Sequence, residues 1–167
     1  TKVAPVANFA LGLKPTKVVM DAVLKVDKHR TFPKYASRTF ESWYKKNVKA
    51  FQNTFKRHVS FFHGCYVNYN YPQLGKDLIS VMNALGYGVH LLENEKCCGT
   101  ALISNRMIDQ AKKNAVNNVE SIRKSVYERQ MPVIGTSSSC NFTIRDEYPH
   151  LLGIDNADVR DYIELAT

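Results

Sequence analysis

Cys65, Cys97, Cys98 and Cys140 are the residues of this 167-residue chain whose type and spacing suit chemistry. Thiolates are the preferred ligands of zinc and of iron–sulfur centres. Two of the four are adjacent, in Cys97-Cys98-Gly99, and small residues flank each position: Gly64, Gly99, and Ser137 to Ser139. Glycine permits close approach of backbone to a bound group. Taken one at a time, each cysteine also suits the role of a small buried hydrophobe. A disulfide between the neighbours Cys97 and Cys98 would close a strained ring. The opening TKVAPVANFALGLKP does not read as a secretory leader, which points to a reducing compartment. There, clustered cysteines serve metal binding or redox work more often than disulfides.

The elements that must position these cysteines follow from hydrophobic periodicity. His58–Phe62, Gly88–Leu92 and Pro132–Gly135 are β-branched or apolar runs that predict strands. Leu74, Leu78, Val81, Met82 and Leu85 recur at helical spacing, with Pro72 before them and Gly86 after. Ile108, Ala111, Ala115, Val119, Ile122 and Val126 predict a long amphipathic helix. Asp155 is expected to cap a last helix carrying Val159, Tyr162 and Ile163. The order β–α–β–α–β–α implies an α/β fold with a Rossmann-like parallel sheet flanked by helices. Cys65, Cys97 and Cys140 each follow a predicted strand by three to five residues. In a parallel sheet those loops share the carboxyl edge, where open α/β folds bind ligands. The four cysteines are therefore expected to meet around one centre, either an iron–sulfur cluster or zinc.

Hydrophobic residues make up 44% of the chain, enough for a packed core, and no apolar run is long enough to span a membrane. Charge is unevenly placed. Residues 1–57 hold 13 Lys and Arg against 3 Asp and Glu, whereas residues 58–167 hold 10 against 12. Within residues 1–57, Val18, Val19, Ala22, Val23 and Val26, then Phe40, Trp43, Tyr44, Phe51 and Phe55, mark helical faces interrupted by Pro15 and Pro33. This segment reads as a basic, mostly helical arm or linker, either wrapped on the domain or connecting it to another, that docks on anionic lipid or an acidic partner. No stacking module or helix-turn-helix pattern favours nucleic acid. Among other polar residues, His63 reads as a hydrogen-bonded structural histidine rather than a ligand. Tyr66, Tyr69 and Tyr71 read as loop packing, with a lid over the centre as the alternative. Arg145, Asp146 and Glu147 read as a solvated or capping set.

Cys65, Cys97-Cys98-Gly99 and Cys140 together resemble the CCG cysteine-rich domain family. That family includes the cysteine-rich subunits of heterodisulfide reductase and iron–sulfur subunits of flavin dehydrogenases. Its pattern is a Cys, thirty-odd residues, Cys-Cys-Gly, a further thirty-odd, then Cys-x-x-Cys. Here 31 residues separate Cys65 from Cys97, and 41 separate Cys98 from Cys140. The segments FFHGCYVNYNYPQLGKDLISVMNALGYGV, EKCCG, NNVESIR and SSSCNFTIRDEYPHLL look like one branch, the iron–sulfur subunits of anaerobic glycerol-3-phosphate dehydrogenases. HRTFPKY and DYIELAT extend the likeness across the chain. The resemblance implies that residues 58–167 are the first CCG domain of a larger subunit, with a ferredoxin-like part before it and a second CCG domain after it. It further implies a 4Fe-4S centre on Cys65, Cys97, Cys98 and Cys140. Such a subunit would carry electrons from flavin-bearing subunits towards quinone, on the inner face of the cytoplasmic membrane, with no dehydrogenating site of its own. The alternative is a non-redox scaffold whose cysteines hold zinc or nothing. One departure stands out: the final Cys of the pattern is Thr143 here. Four thiolates remain, a number that suits a tetrahedral zinc site or a cubane cluster.

Overall fold

A computed structural model describes residues 3–166. Two helices come first, α1 (Ala4–Gly12) and α2 (Lys14–Leu24), with Pro5 and Pro15 in their opening turns. A proline there removes only an N–H that the helix leaves unpaired anyway. Asn8 ties α1 to the following segment: its amide donates to the Tyr35 carbonyl, and the Tyr35 N–H donates to its Oδ1, each at 2.8 Å. Helix α3 (Phe40–Asn47) begins where the Thr39 side chain accepts from Ser42 N–H, and a single turn, α4 (Lys49–Gln52), leads into β1 (Arg57–Phe62). Then come α5 (Gly64–Tyr69), α6 (Pro72–Ala84), β2 (Tyr87–Leu91), α7 (Thr100–Ser104) and α8 (Ile108–Arg123). The chain closes with β3 (Val133–Gly135), α9 (Ser138–Phe142), α10 (Tyr148–Leu152) and β4 (Ile163–Leu165). A wide π turn at Thr143–Glu147 joins α9 to α10.

The four strands form one parallel sheet in the order β2-β1-β3-β4. Neighbours keep register, Phe61 opposite Leu91 and Phe62 opposite Gly135. Because side chains alternate across a strand, Val59 and Phe61 of β1 join one core and Phe62 joins the other. The first core brings Phe40, Tyr44, Val67, Leu78 and Ile79 against the sheet; the second brings α8 and α10. The expected Rossmann-like architecture is therefore present, with helices on both faces. Strand order reverses between β1 and β3, the position at which adjacent loops diverge and leave a crevice.

Helix α3 packs onto the domain: Phe40 is fully buried, its ring 5.7 Å from Phe61, and it packs on Gly75 so closely that a Cβ there would lie 2.6 Å from the ring. One feature differs from the sequence reading. The expected last helix is absent among the described residues. The Asp155 side chain accepts from Ala157 N–H, two residues on, which closes a local turn instead of starting a helix. After a 3-10 turn at Arg160–Tyr162, Ile163 pairs with Val133 as β4 and is buried in the second core. Ile163 is β-branched and gains more from this ladder than from a helical turn.

Candidate metal centre

The loops after β1, β2 and β3 bring the cysteines to the carboxyl edge of the sheet. Cys65 is at the start of α5, Cys97 and Cys98 directly precede α7, and Cys140 lies in α9. The Cys98 thiol is 3.1 Å from Cys140 Sγ and donates to it. Cys65 and Cys97 line one cavity beside that pair, so the sulfurs run along the edge as a string, Cys65–Cys97–Cys98–Cys140. Two glycines make the approach possible. Gly64 and Gly99 both hold positive φ, and a Cβ on Gly64 would come within 3.8 Å of Cys140 Sγ.

Protonation alternates along the string. A hydrogen bond from the Cys65 thiol, then the closeness of Cys98, pushes Cys97 towards thiolate, against the cost of burial and with help from Gly99 N–H. The Cys98 thiol lowers Cys140 to about 7. Cys98 and Cys65 are pushed up in turn, each first by the hydrogen bond it makes to a neighbouring sulfur and then by burial. The folded site thus already carries thiolate character, and binding a soft metal would displace the remaining thiol protons. The structure brings all four sequence-predicted cysteines to one edge of the sheet, Cys98 buried and Cys65 exposed.

Several residues that hold the loops were not singled out in the sequence. Glu95, nearly buried, accepts from the N–H groups of His63 (3.0 Å) and Gly64 (2.7 Å), which ties the loop after β2 to the first turn of α5. His63 Nδ1 lies 2.8 Å from the same carboxylate but off the line of a hydrogen bond, so the ring packs against Glu95 without the side-chain hydrogen bond that was expected. Asn118, buried in α8, accepts from Lys96 N–H and donates to the Lys96 carbonyl and the Tyr148 hydroxyl. That hydroxyl donates to the Cys98 carbonyl at 2.9 Å. Burial raises the Tyr148 phenol further, so it stays a donor.

Thr143, in the place of the pattern's last cysteine, is buried against the site. Its Oγ1 is 2.7 Å from Thr100 Oγ1, which is 3.3 Å from Cys98 Sγ. Glu147 accepts from Thr143, Asp146 pairs with Arg160 and Arg145 donates to the Ile163 carbonyl. These three charged residues brace the site and β4, where a solvated or capping set was expected. Tyr66, Tyr69 and Tyr71 are each about half exposed, so the expected loop packing is only partial. Beside Cys65 and Cys97 a cavity of about 740 Å³ opens, with Tyr69, His90, Lys49, Lys96 and Arg129 on its walls.

The family model described as CCG, cysteine-rich domain, matches residues 59–145. The chain is 56% identical over 167 residues to the C subunit of the anaerobic glycerol-3-phosphate dehydrogenase of Escherichia coli (strain K12), a match covering 100% of the chain and 42% of that protein. It is 30% identical over 112 residues to an uncharacterized iron-sulfur protein of Methanocaldococcus jannaschii, 67% of the chain and 22% of the relative. To lactate utilization protein A of Bacillus subtilis it is 32% identical over 97 residues, 58% of the chain and 38% of the relative. The chain thus spans less than half the length of each of these relatives. No solved structure matches it.

Proposed function

The chain belongs to the CCG cysteine-rich domain family, and from that premise we propose that it is an electron-transfer module. On this reading it is part of the iron–sulfur subunit of an anaerobic glycerol-3-phosphate dehydrogenase and passes electrons from flavin-bearing subunits towards membrane quinone. The observation that carries the reading is the string of four sulfurs along the carboxyl edge, two of them 3.1 Å apart. The donor set is soft and suits iron–sulfur chemistry. Zinc would need the sulfurs to converge tetrahedrally on one point. Among the described residues no three His, Cys, Asp or Glu side chains form such a single-ion cage. The string therefore favours a centre of several metal atoms, for which we propose the 4Fe-4S type.

Bound there, the centre supplies one-electron transfer. The chain's own residues hold it: Cys65, Cys97, Cys98 and Cys140 as ligands, Glu95 and Asn118 fixing the loops that carry them. Exposed Cys65 leaves the centre close to the surface, where a partner can exchange electrons. Residues 58–167 would form the first CCG domain of the larger protein. Residues 1–57 would be the basic arm that docks on the inner face of the cytoplasmic membrane. No helix among the described residues is long and apolar enough to cross a membrane.

Anaerobic reconstitution with iron and sulfide tests the reading. Wild type should bind both and give a paramagnetic signal on reduction, and Cys140→Ser should lose most of both. Stoichiometric zinc without sulfide would favour a structural scaffold instead. Full iron retention in Cys140→Ser would remove Cys140 from the ligand set.

A further inference from the structure

The contacts beyond Cys98 do not have enough protons to go round. Cys98 Sγ meets Thr100 Oγ1 at 3.3 Å, Thr100 Oγ1 meets Thr143 Oγ1 at 2.7 Å, and Thr143 Oγ1 meets Glu147 Oε2. These are three contacts, and the two threonines bring one hydroxyl proton each. Thr143 donates to Glu147. Two hydroxyl oxygens at 2.7 Å need a proton between them, so Thr100 donates to Thr143. Nothing then remains for the Cys98 sulfur. Its own thiol proton points to Cys140, and a metal-bound cysteine would have none. One helical turn separates the two residues, which places the carboxylate of residue 147 on the hydroxyl of residue 143 and sets this polarity.

We propose that Glu147, acting through Thr143 and Thr100, withholds a hydrogen bond from the Cys98 sulfur and thereby keeps the potential of the centre low. Thr143 is then a positioning residue rather than a vacant ligand position. A hydrogen bond to a ligating sulfur stabilises the more electron-rich, reduced state and raises the potential. Any change that turns the Thr100 hydroxyl towards Cys98 should therefore raise it. The proposal rests on the iron–sulfur reading of the site.

Two substitutions release the Thr100 proton by different routes. Thr143→Val keeps the shape of the side chain and removes the acceptor. Glu147→Leu removes the carboxylate that takes the Thr143 proton, so that Thr143 donates to Thr100 and Thr100 to the sulfur. Both should shift the midpoint potential upward in anaerobic redox titrations of the reconstituted full chain, followed by electron paramagnetic resonance. Thr143→Ser, which keeps the hydroxyl, should stay at the wild-type value. Thr100→Val should also stay there, and should cancel the rise when combined with Thr143→Val; combined with Glu147→Leu it should leave only the part of the rise that comes from lost charge. A purely structural role for these residues does not predict that cancellation. Iron and sulfide bound as in wild type, with the Thr143→Val potential unshifted or with its rise persisting in the Thr100→Val background, would overturn the relay alone. A wild-type chain that takes up neither iron nor sulfide would overturn the iron–sulfur reading and the relay with it.

Discussion

Asn118 is the side chain on which the cysteine loop hangs. It is fully buried, and its amide satisfies both backbone groups of Lys96 while holding Tyr148, whose hydroxyl in turn caps the Cys98 carbonyl. Removing one partner of a buried hydrogen bond leaves the other unsatisfied, at about 1–3 kcal/mol each. Asn118→Ala should therefore destabilise the fold by about 3 kcal/mol in urea unfolding, and Tyr148→Phe by about 1–2 kcal/mol. Asn117→Ala, which frees one bond on the surface, should cost well under either. A second residue-level consequence concerns His90, whose Nε2 is 3.0 Å from His58 Nδ1 across the β1–β2 pair. Burial lowers the His90 pKa, assisted by His58, Arg129 and Lys49. The folded chain thus binds this proton less readily than the unfolded chain. Its stabilising contribution is complete above the ordinary histidine range and is lost as pH falls through about 6.5. Unfolding free energies at pH 7.5 and 5.5 should converge in His90→Gln relative to wild type; an equal pH dependence in both would remove His90 from the account.

At the scale of elements, Gly135 joins the sheet to the site. It ends β3, and a Cβ there would lie 2.3 Å from Asn141 Oδ1, next to Cys140 in α9. Gly135→Ala should push α9 outward and carry the Cys140 sulfur away from Cys98. Overpacking of this kind costs about 1–3 kcal/mol. The informative readout is iron bound per folded chain, which should fall in Gly135→Ala. It should stay at the wild-type level in Gly75→Ala, which strains only the α6–α3 contact. The three strands that feed the cysteine loops are readable in the sequence because His58–Phe62, Gly88–Leu92 and Pro132–Gly135 are apolar runs between helical stripes, and that order places the cysteines on one edge. Strand β4 is not readable: three residues, Ile163-Glu164-Leu165, become a strand only because β3 leaves a free edge far back in the chain. Phe40 and Tyr44 mark a helical face in the sequence, but the core they join is not readable there, because it depends on distant residues such as Gly75, which makes room for the Phe40 ring. Glu95 and Thr100 are common polar residues whose roles depend on neighbours 31 to 43 positions away, which a local pattern does not encode; Glu147 reaches the site through Thr143, whose partner Thr100 is equally distant in the chain.

For the molecule as a whole, the asymmetry of charge coincides with an asymmetry of covering. Val6 and Phe9 of α1, and Val19 and Val23 of α2, are each at least 60% exposed, although the rest of the chain buries two full cores. Lys14, Lys17, Lys25 and Lys28 lie on or beside the same helices, within a segment that carries 13 basic residues against 3 acidic. An apolar face bordered by lysines is the composition of a helix that lies in a lipid interface. Each lysine near an anionic surface contributes about 1 kcal/mol. The expected outcome is binding to vesicles containing anionic lipid and little binding to neutral ones. The two contributions separate by condition. Raising salt from 0.1 to 1 M shortens the Debye length from about 10 to about 3 Å, and should weaken binding strongly. Replacing Val19 and Val23 by Glu should abolish it even at low salt, by removing apolar contact and reversing local charge. Vesicle binding that ignores ionic strength, or that survives the double substitution, would place the docking surface elsewhere on the molecule.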